Sequence, residues 1–173
     1  MSKPLVHYAF IDGQNFFKSV EAMELELETL EVTLDLEEFR VHLAEKYGVK
    51  VAYYFIGFIP RYQRLYDSLR GQGYELVFKE VAIWDEGIKG NVDVNLTMQV
   101  FIDLDKYDKA IIVASDGDYA CLVDYLQTIG KLDNIIVCSR GGASYLLRKL
   151  HGRVRIFYLD DIMRDLYMRR ETS

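Results

Sequence analysis

Two cysteines, two prolines and three histidines are all that this 173-residue chain has of those residue types. Cys121 and Cys138 lie in apolar segments with no Cys-x-x-Cys or Cys/His spacing. That excludes a disulfide framework and a zinc site, and predicts two reduced core thiols. His7, His42 and His151 are isolated from any Ser or Cys in a nucleophile setting, so covalent hydrolase chemistry has no support. Apolar runs such as Ala110-Ile111-Ile112-Val113-Ala114 fall far short of the roughly 18 to 20 residues that span a bilayer. The first residues show no basic flank ahead of an apolar core, so a soluble, cytoplasmic protein without a membrane partner is expected. Linkers rich in Pro, Gly or Ser, repeats and low-complexity tracts are also missing. One domain over residues 1–173 follows, with a core of about 5–160 and a short C-terminal helix.

Half of the residues are apolar and 28% are charged, with a net charge of −6. That sum speaks against a nucleic-acid partner, but its distribution matters more. Residues 1–48 carry −6, residues 49–130 carry −4 and residues 131–173 carry +4. Arg140, Arg148, Lys149, Arg153, Arg155, Arg164, Arg169 and Arg170 give the last stretch the means to present either a basic surface or merely a solvated helix face.

Apolar strands alternate with helical patterns along the chain. Strands are predicted at Leu5–Ile11, Val49–Ile56, Tyr74–Phe78, Lys109–Ala114 and Asn134–Cys138, with a sixth at Val154–Tyr158. Helices are predicted at Asn15–Met23, from Asp35 to Gly48, from Pro60 to Gly71, Asp93–Leu104, Tyr119–Ile129 and Ser144–Leu150, with a short one from Asp160. Lys79–Val92 reads as a long loop, and Glu24–Glu28, inside the acidic region Glu21–Glu31, alternates with period two and fits either an exposed helix end or an irregular extension. Such alternation implies a three-layer α/β fold with a mainly parallel sheet of five or six strands. Ligands of such sheets bind beyond the carboxyl ends of the strands, near the point where strand order reverses.

Three polar clusters lie where such a site is expected. Asp12-Gly13-Gln14-Asn15 follows the first strand, and Ser115-Asp116-Gly117-Asp118 follows the fourth. Lys89-Gly90-Asn91-Val92-Asp93 ends at the start of a helix. If the first and fourth strands are neighbours, Asp12, Asp116 and Asp118 converge and Asp93 joins them. Four carboxylates in one place repel unless a cation is present, and oxygen ligands without His or Cys favour Mg²⁺ or Mn²⁺. A cation so placed suits hydrolysis of a phosphodiester, with Asn15 orienting water or a phosphate oxygen and Lys89 offsetting phosphate charge. Taken singly, each piece has a structural reading: Asp-Gly as a turn, Asp93 as a helix cap, Ser115 as a partner for a backbone group, Lys89 as a solvated charge.

Phe10-Ile11-Asp12-Gly13-Gln14-Asn15, Lys89-Gly90-Asn91-Val92-Asp93-Val94 and Ala114-Ser115-Asp116-Gly117-Asp118-Tyr119 resemble, in order and approximate separation, the motifs of the NYN-domain (LabA-like) family of PIN-like nucleases. The resemblance implies a Rossmann-like, PIN-like fold and a metal-dependent ribonuclease. It assigns Asp12, Asp93, Asp116 and Asp118 as the catalytic and metal-binding set, with Asn15 as a motif neighbour and Ser115 in a supporting role. RNA is then the implied partner. Two other readings stand beside this one: a non-catalytic RNA- or protein-binding module, and an Asp-x-Asp phosphatase built on Asp116 and Asp118. Pairing of two chains through Met23–Leu34, with Leu25, Leu27 and Leu30, is a further expectation.

Overall fold

The apolar run that opens the chain becomes the central strand β1 (His7–Asp12), and its four last residues are buried. The structure, a computed structural model, describes residues 4–16, 36–79, 82–84, 87–89, 92–138 and 140–171. After a helical turn at 13–16, the chain forms α1 (Leu36–Tyr47), β2 (Val49–Gly57), a 3₁₀ turn (Pro60–Tyr62) and α2 (Gln63–Gly71). β3 (Glu75–Lys79), β4 (Ala82–Trp84), β5 (Gly87–Lys89) and α3 (Asp93–Ile102) follow. The last part holds β6 (Lys109–Val113), a 3₁₀ turn (Gly117–Tyr119), α4 (Ala120–Thr128), β7 (Leu132–Val137), α5 (Tyr145–Arg148), β8 (Ile156–Tyr158) and α6 (Leu159–Glu171).

Six strands make one sheet in the order β3-β2-β1-β6-β7-β8. Every neighbouring pair is parallel. Strand side chains alternate between the faces, and two cores result. Ala9 and Ile11 of β1 pack with Phe39 and Leu43 of α1, Leu69 of α2, and Ile162 and Met163 of α6. Phe10 faces the other way, onto Leu96 and Val100 of α3, Leu122, Val123 and Leu126 of α4, and Leu147 of α5. Helices therefore cover both faces, and the three-layer α/β architecture expected from the sequence is the one observed.

Gly48 closes α1 with φ 68°, a left-handed conformation that glycine adopts without steric cost, and its N–H reaches the Ala44 carbonyl at 2.9 Å. Two expectations need correction. Residues 79–92 are more than loop: β4 and β5 pair antiparallel, Ala82 opposite Lys89 and Trp84 opposite Gly87, in strands too short for periodicity to register. Cys121 is no core thiol. It is exposed, because α4 turns the adjacent Leu122 and Val123 inward, whereas Cys138 is buried, and neither forms a disulfide. The segments Glu21–Glu31 and Met23–Leu34 lie outside the described residues.

Candidate metal centre

Chain order runs outward from β1 to β2 and β3, then resumes on the other side of β1 with β6, so strand order reverses between β1 and β6. A crevice opens beyond the carboxyl ends of strands at such a reversal. β1 ends in Asp12, and β6 leads through Ala114 and Ser115 into Asp116. The two strands are thus neighbours, as convergence of the acidic residues requires, in the register Ile11 opposite Val113.

Asp12 is 2% exposed. Its Oδ1 accepts the Asn15 backbone N–H at 2.9 Å, and its Oδ2 lies 3.4 Å from the Asn15 amide nitrogen. The Tyr119 hydroxyl stands 3.1 Å from that Oδ2 and 2.7 Å from Oδ1 of Asp93. A phenol has one proton to donate, so it serves one of the two carboxylates, and the shorter contact favours Asp93. Burial pushes the Asp12 carboxyl above its ordinary pKa and the negative charge of Asp93 adds to this, against the pull of the Asn15 and Tyr119 hydrogen bonds. Tyr119 is driven strongly upward by burial and by the Asp12 and Asp93 charges, so its hydroxyl keeps its proton.

Asp93 is the first residue of α3, where the helix dipole favours a negative charge. Asp116 caps the 3₁₀ turn, its side chain accepting the Asp118 N–H at 3.1 Å. These constraints bring one carboxylate oxygen from each of Asp93, Asp116 and Asp118 within 4.8 Å of one another. Ligands opposite each other around Mg²⁺ at about 2.1 Å stand about 4.2 Å apart, so small adjustments suffice to enclose a cation. Three hard oxygen donors, with the carboxylates of Asp116 and Asp118 exposed, fit a hard divalent ion. Asp12 stands behind the three, joined to Asp93 through Tyr119.

The glycines of both Asp-Gly pairs are needed for space. A Cβ on Gly13 would lie 2.3 Å from a Tyr54 ring carbon and 2.6 Å from the Phe55 carbonyl oxygen. One on Gly117 would lie 2.3 Å from Ser144 Oγ and 3.3 Å from Leu146 Cδ1. The second close approach fixes α5 against the acidic turn, helped by a Ser144 N–H bond to the Ser115 carbonyl at 3.2 Å. Ser115 itself is buried, and its Oγ accepts the Cys138 N–H at 3.0 Å, tying β6 to β7. Lys89 ends β5, and its side chain lies outside what is described.

Among the basic residues, Arg140 pairs with Asp161, Arg153 with Asp124 and Arg155 with Asp133. Arg148, the last residue of α5, and Lys149 after it are exposed and form no ion pair among the described residues. Tyr145 is 63% exposed, with Lys149 Nζ 4.9 Å from its ring centre, and Leu146 beside it is exposed too. Neither Tyr119 nor Tyr145 stood out from the sequence. The one signal was Tyr119 following Asp118 in the third motif. A cleft of about 650 Å³ opens at the opposite, amino-terminal edge of the sheet, among Lys109, Asp133, His151, Arg153 and Arg155. None of the four acidic residues lines it, and Lys109 is engaged by the Gly130 carbonyl at 2.8 Å.

Residues 8–155 match the NYN domain family, and they include Asp12, Asp93, Asp116, Asp118 and Tyr119. The chain belongs to the NYN domain family. This NYN domain is consistent with the PIN-like nuclease superfamily, and its frame is of a nuclease type. A crystal structure of a protein of unknown function from Vibrio parahaemolyticus superposes with a TM-score of 0.69 at 22% identity, over 93% of this chain and 98% of that one. At that identity the likeness is one of fold. No curated protein matches the chain. No helix among the described residues is long and apolar enough to cross a membrane.

Proposed function

We propose that this NYN domain is a metal-dependent ribonuclease that hydrolyses RNA phosphodiester bonds with Mg²⁺ or Mn²⁺. The observation that carries the proposal is the gathering of Asp93, Asp116 and Asp118 oxygens within 4.8 Å at the reversal of strand order. Asp93, Asp116 and Asp118 would hold the ion, and Asp12 completes the acidic set from behind. Bound there, a divalent ion neutralises phosphate charge and makes water a better nucleophile at neutral pH. Tyr119 holds Asp12 and Asp93 in fixed relation, so the cluster is set before substrate arrives. Asn15, on the Asp12 carboxylate, would orient water or a phosphate oxygen, Lys89 is assigned to the substrate side, and Ser115, buried with its Oγ on the Cys138 N–H, supports the acidic turn from beneath. In the hydrolysis, a water oxygen bonds to phosphorus as the bond from phosphorus to the leaving sugar oxygen breaks, and water supplies the proton that oxygen takes up. α5 supports the substrate, because the exposed Tyr145 ring offers a stacking surface and Lys149 and Arg148 offer charge for the backbone.

The test is incubation of a mixed single-stranded and hairpin RNA pool with the protein in Mg²⁺, Mn²⁺ or EDTA. Cleavage with either metal and none in EDTA is expected, together with loss of at least about a hundredfold in Asp116→Asn. Binding without cleavage in every metal condition would replace the proposal with that of an RNA-binding module.

A further inference from the structure

A surface helix of a soluble protein ordinarily turns charged residues outward. α3 does not: from Val94 to Ile102 it contains no charged residue. Val94, Met98, Phe101 and Ile102 recur on its outer side at helical spacing, and all four are exposed. α4 continues the surface. Its Tyr125 packs on Phe101 with ring centres 5.4 Å apart, and Ile129 follows at its end. The six side chains are between 39% and 68% exposed. Aromatic side chains carry roughly 150 to 250 Å² each and the aliphatic ones here somewhat less, so half of that over six residues is on the order of 500 Å² of apolar surface. That is at the upper end of the patches of roughly 300 to 600 Å² found on monomers.

We infer that this α3–α4 face is where a second copy of the chain docks. Charge selects the occupant. Neither helix carries a Lys or Arg, so phosphate groups of a nucleic acid or an anionic membrane would find no counter-charge in a protein whose net charge is already −6. Two copies of so acidic a chain repel each other across most surfaces. In a two-fold contact every residue meets the same surface on its partner, which makes a charge-free face the self-complementary one. The acidic groups of these helices lie at the margin: Asp93 at the first residue of α3, and Asp124 in its ion pair with Arg153. Area agrees, since on the order of 500 Å² of apolar surface makes the centre of a standard contact of about 800 Å² per protomer, with a polar rim around it. The copy would rest on the helix whose first residue is Asp93. The inference uses no residue of Met23–Leu34 and holds whatever the activity of the acidic site.

Sedimentation velocity on the full chain from about 1 μM to about 1 mM tests it. The wild type is expected to pass from the 20.2 kDa monomer to twice that mass. Met98→Glu and Ile102→Glu each place two copies of a carboxylate in the contact and are expected to weaken it at least about a hundredfold, with the thermal midpoint of the monomer unchanged. Val41→Glu, at a 46% exposed position of α1 on the other side of the sheet, should leave the dimer intact. A monomer throughout, or a dimer that survives both Glu variants, overturns the inference. So does a dimer lost equally in Val41→Glu.

Discussion

At the scale of single residues, Tyr119 has one proton for two carboxylates, and Asp12 is the one held in the interior. Asp12 keeps its proton to higher pH when folded than when unfolded, because its pKa is raised from 3.8. The folded state then binds more protons, and stability falls as pH rises from about 3.8 through the raised value. Asp12→Asn removes that loss, since the amide oxygen can still accept from Asn15 and the amide N–H can donate to Tyr119. In EDTA at pH 7 this variant is expected to be more stable than wild type, the difference vanishing below about pH 3.8, as read by urea unfolding. It is also expected to lose RNA cleavage by at least about a hundredfold. Gly13→Ala is expected to cost about 3 kcal/mol and Gly117→Ala less. The Phe55 carbonyl and Tyr54 ring cannot yield at the first position, whereas Ser144 Oγ can rotate at the second. An equal loss in thermal unfolding of the two variants would contradict that ranking. The pairing of Asp with Gly was legible as a dipeptide, but its reason was not. Neither glycine has positive φ, and close approach depends on residues 41 and 27 positions away.

At the scale of elements, the long strands and helices were legible because each face buries a periodic set of side chains. The start of α3 at Asp93 falls where the sequence puts it, and β1 runs one residue past the predicted Ile11, to Asp12. Short elements behaved differently. β4 and β5 have three residues each, and α5 spans only Tyr145–Arg148 within the helix expected over 144–150. What fixes α5 is the Ser144 cap on the Leu146 N–H and the fit of Ser144 against Gly117, which are contacts across 27 residues rather than periodicity. If α5 receives a base, Tyr145→Ala should weaken binding of single-stranded RNA by about five- to a hundredfold, the value of one stacking contact, with little change in thermal stability. Fluorescence anisotropy in EDTA reads it, and unchanged affinity would remove Tyr145 from the RNA path.

At the scale of the whole molecule, the alternation of strands and helices announced a parallel sheet, and the polar clusters marked its carboxyl edge. The order of strands was open: that β6 lies against β1 emerges only from the assembled sheet. The sequence also showed a basic final stretch, but not that Arg140, Arg153 and Arg155 are taken by Asp161, Asp124 and Asp133. If Lys89, Arg148 and Lys149 are the cations that meet RNA, binding should depend weakly on salt. A logarithmic slope of about −2 is expected, from three contacts at roughly 0.7 per phosphate on a single strand. A slope steeper than about −5 would mean that those ion pairs open onto RNA. The metal centre itself is best tested by soaking crystals with Mn²⁺ and recording anomalous scattering. A peak about 2.2 Å from carboxylate oxygens of Asp93, Asp116 and Asp118 is expected, and absent in Asp116→Asn. No peak there at millimolar Mn²⁺, or one only at other acidic residues, would contradict the assignment.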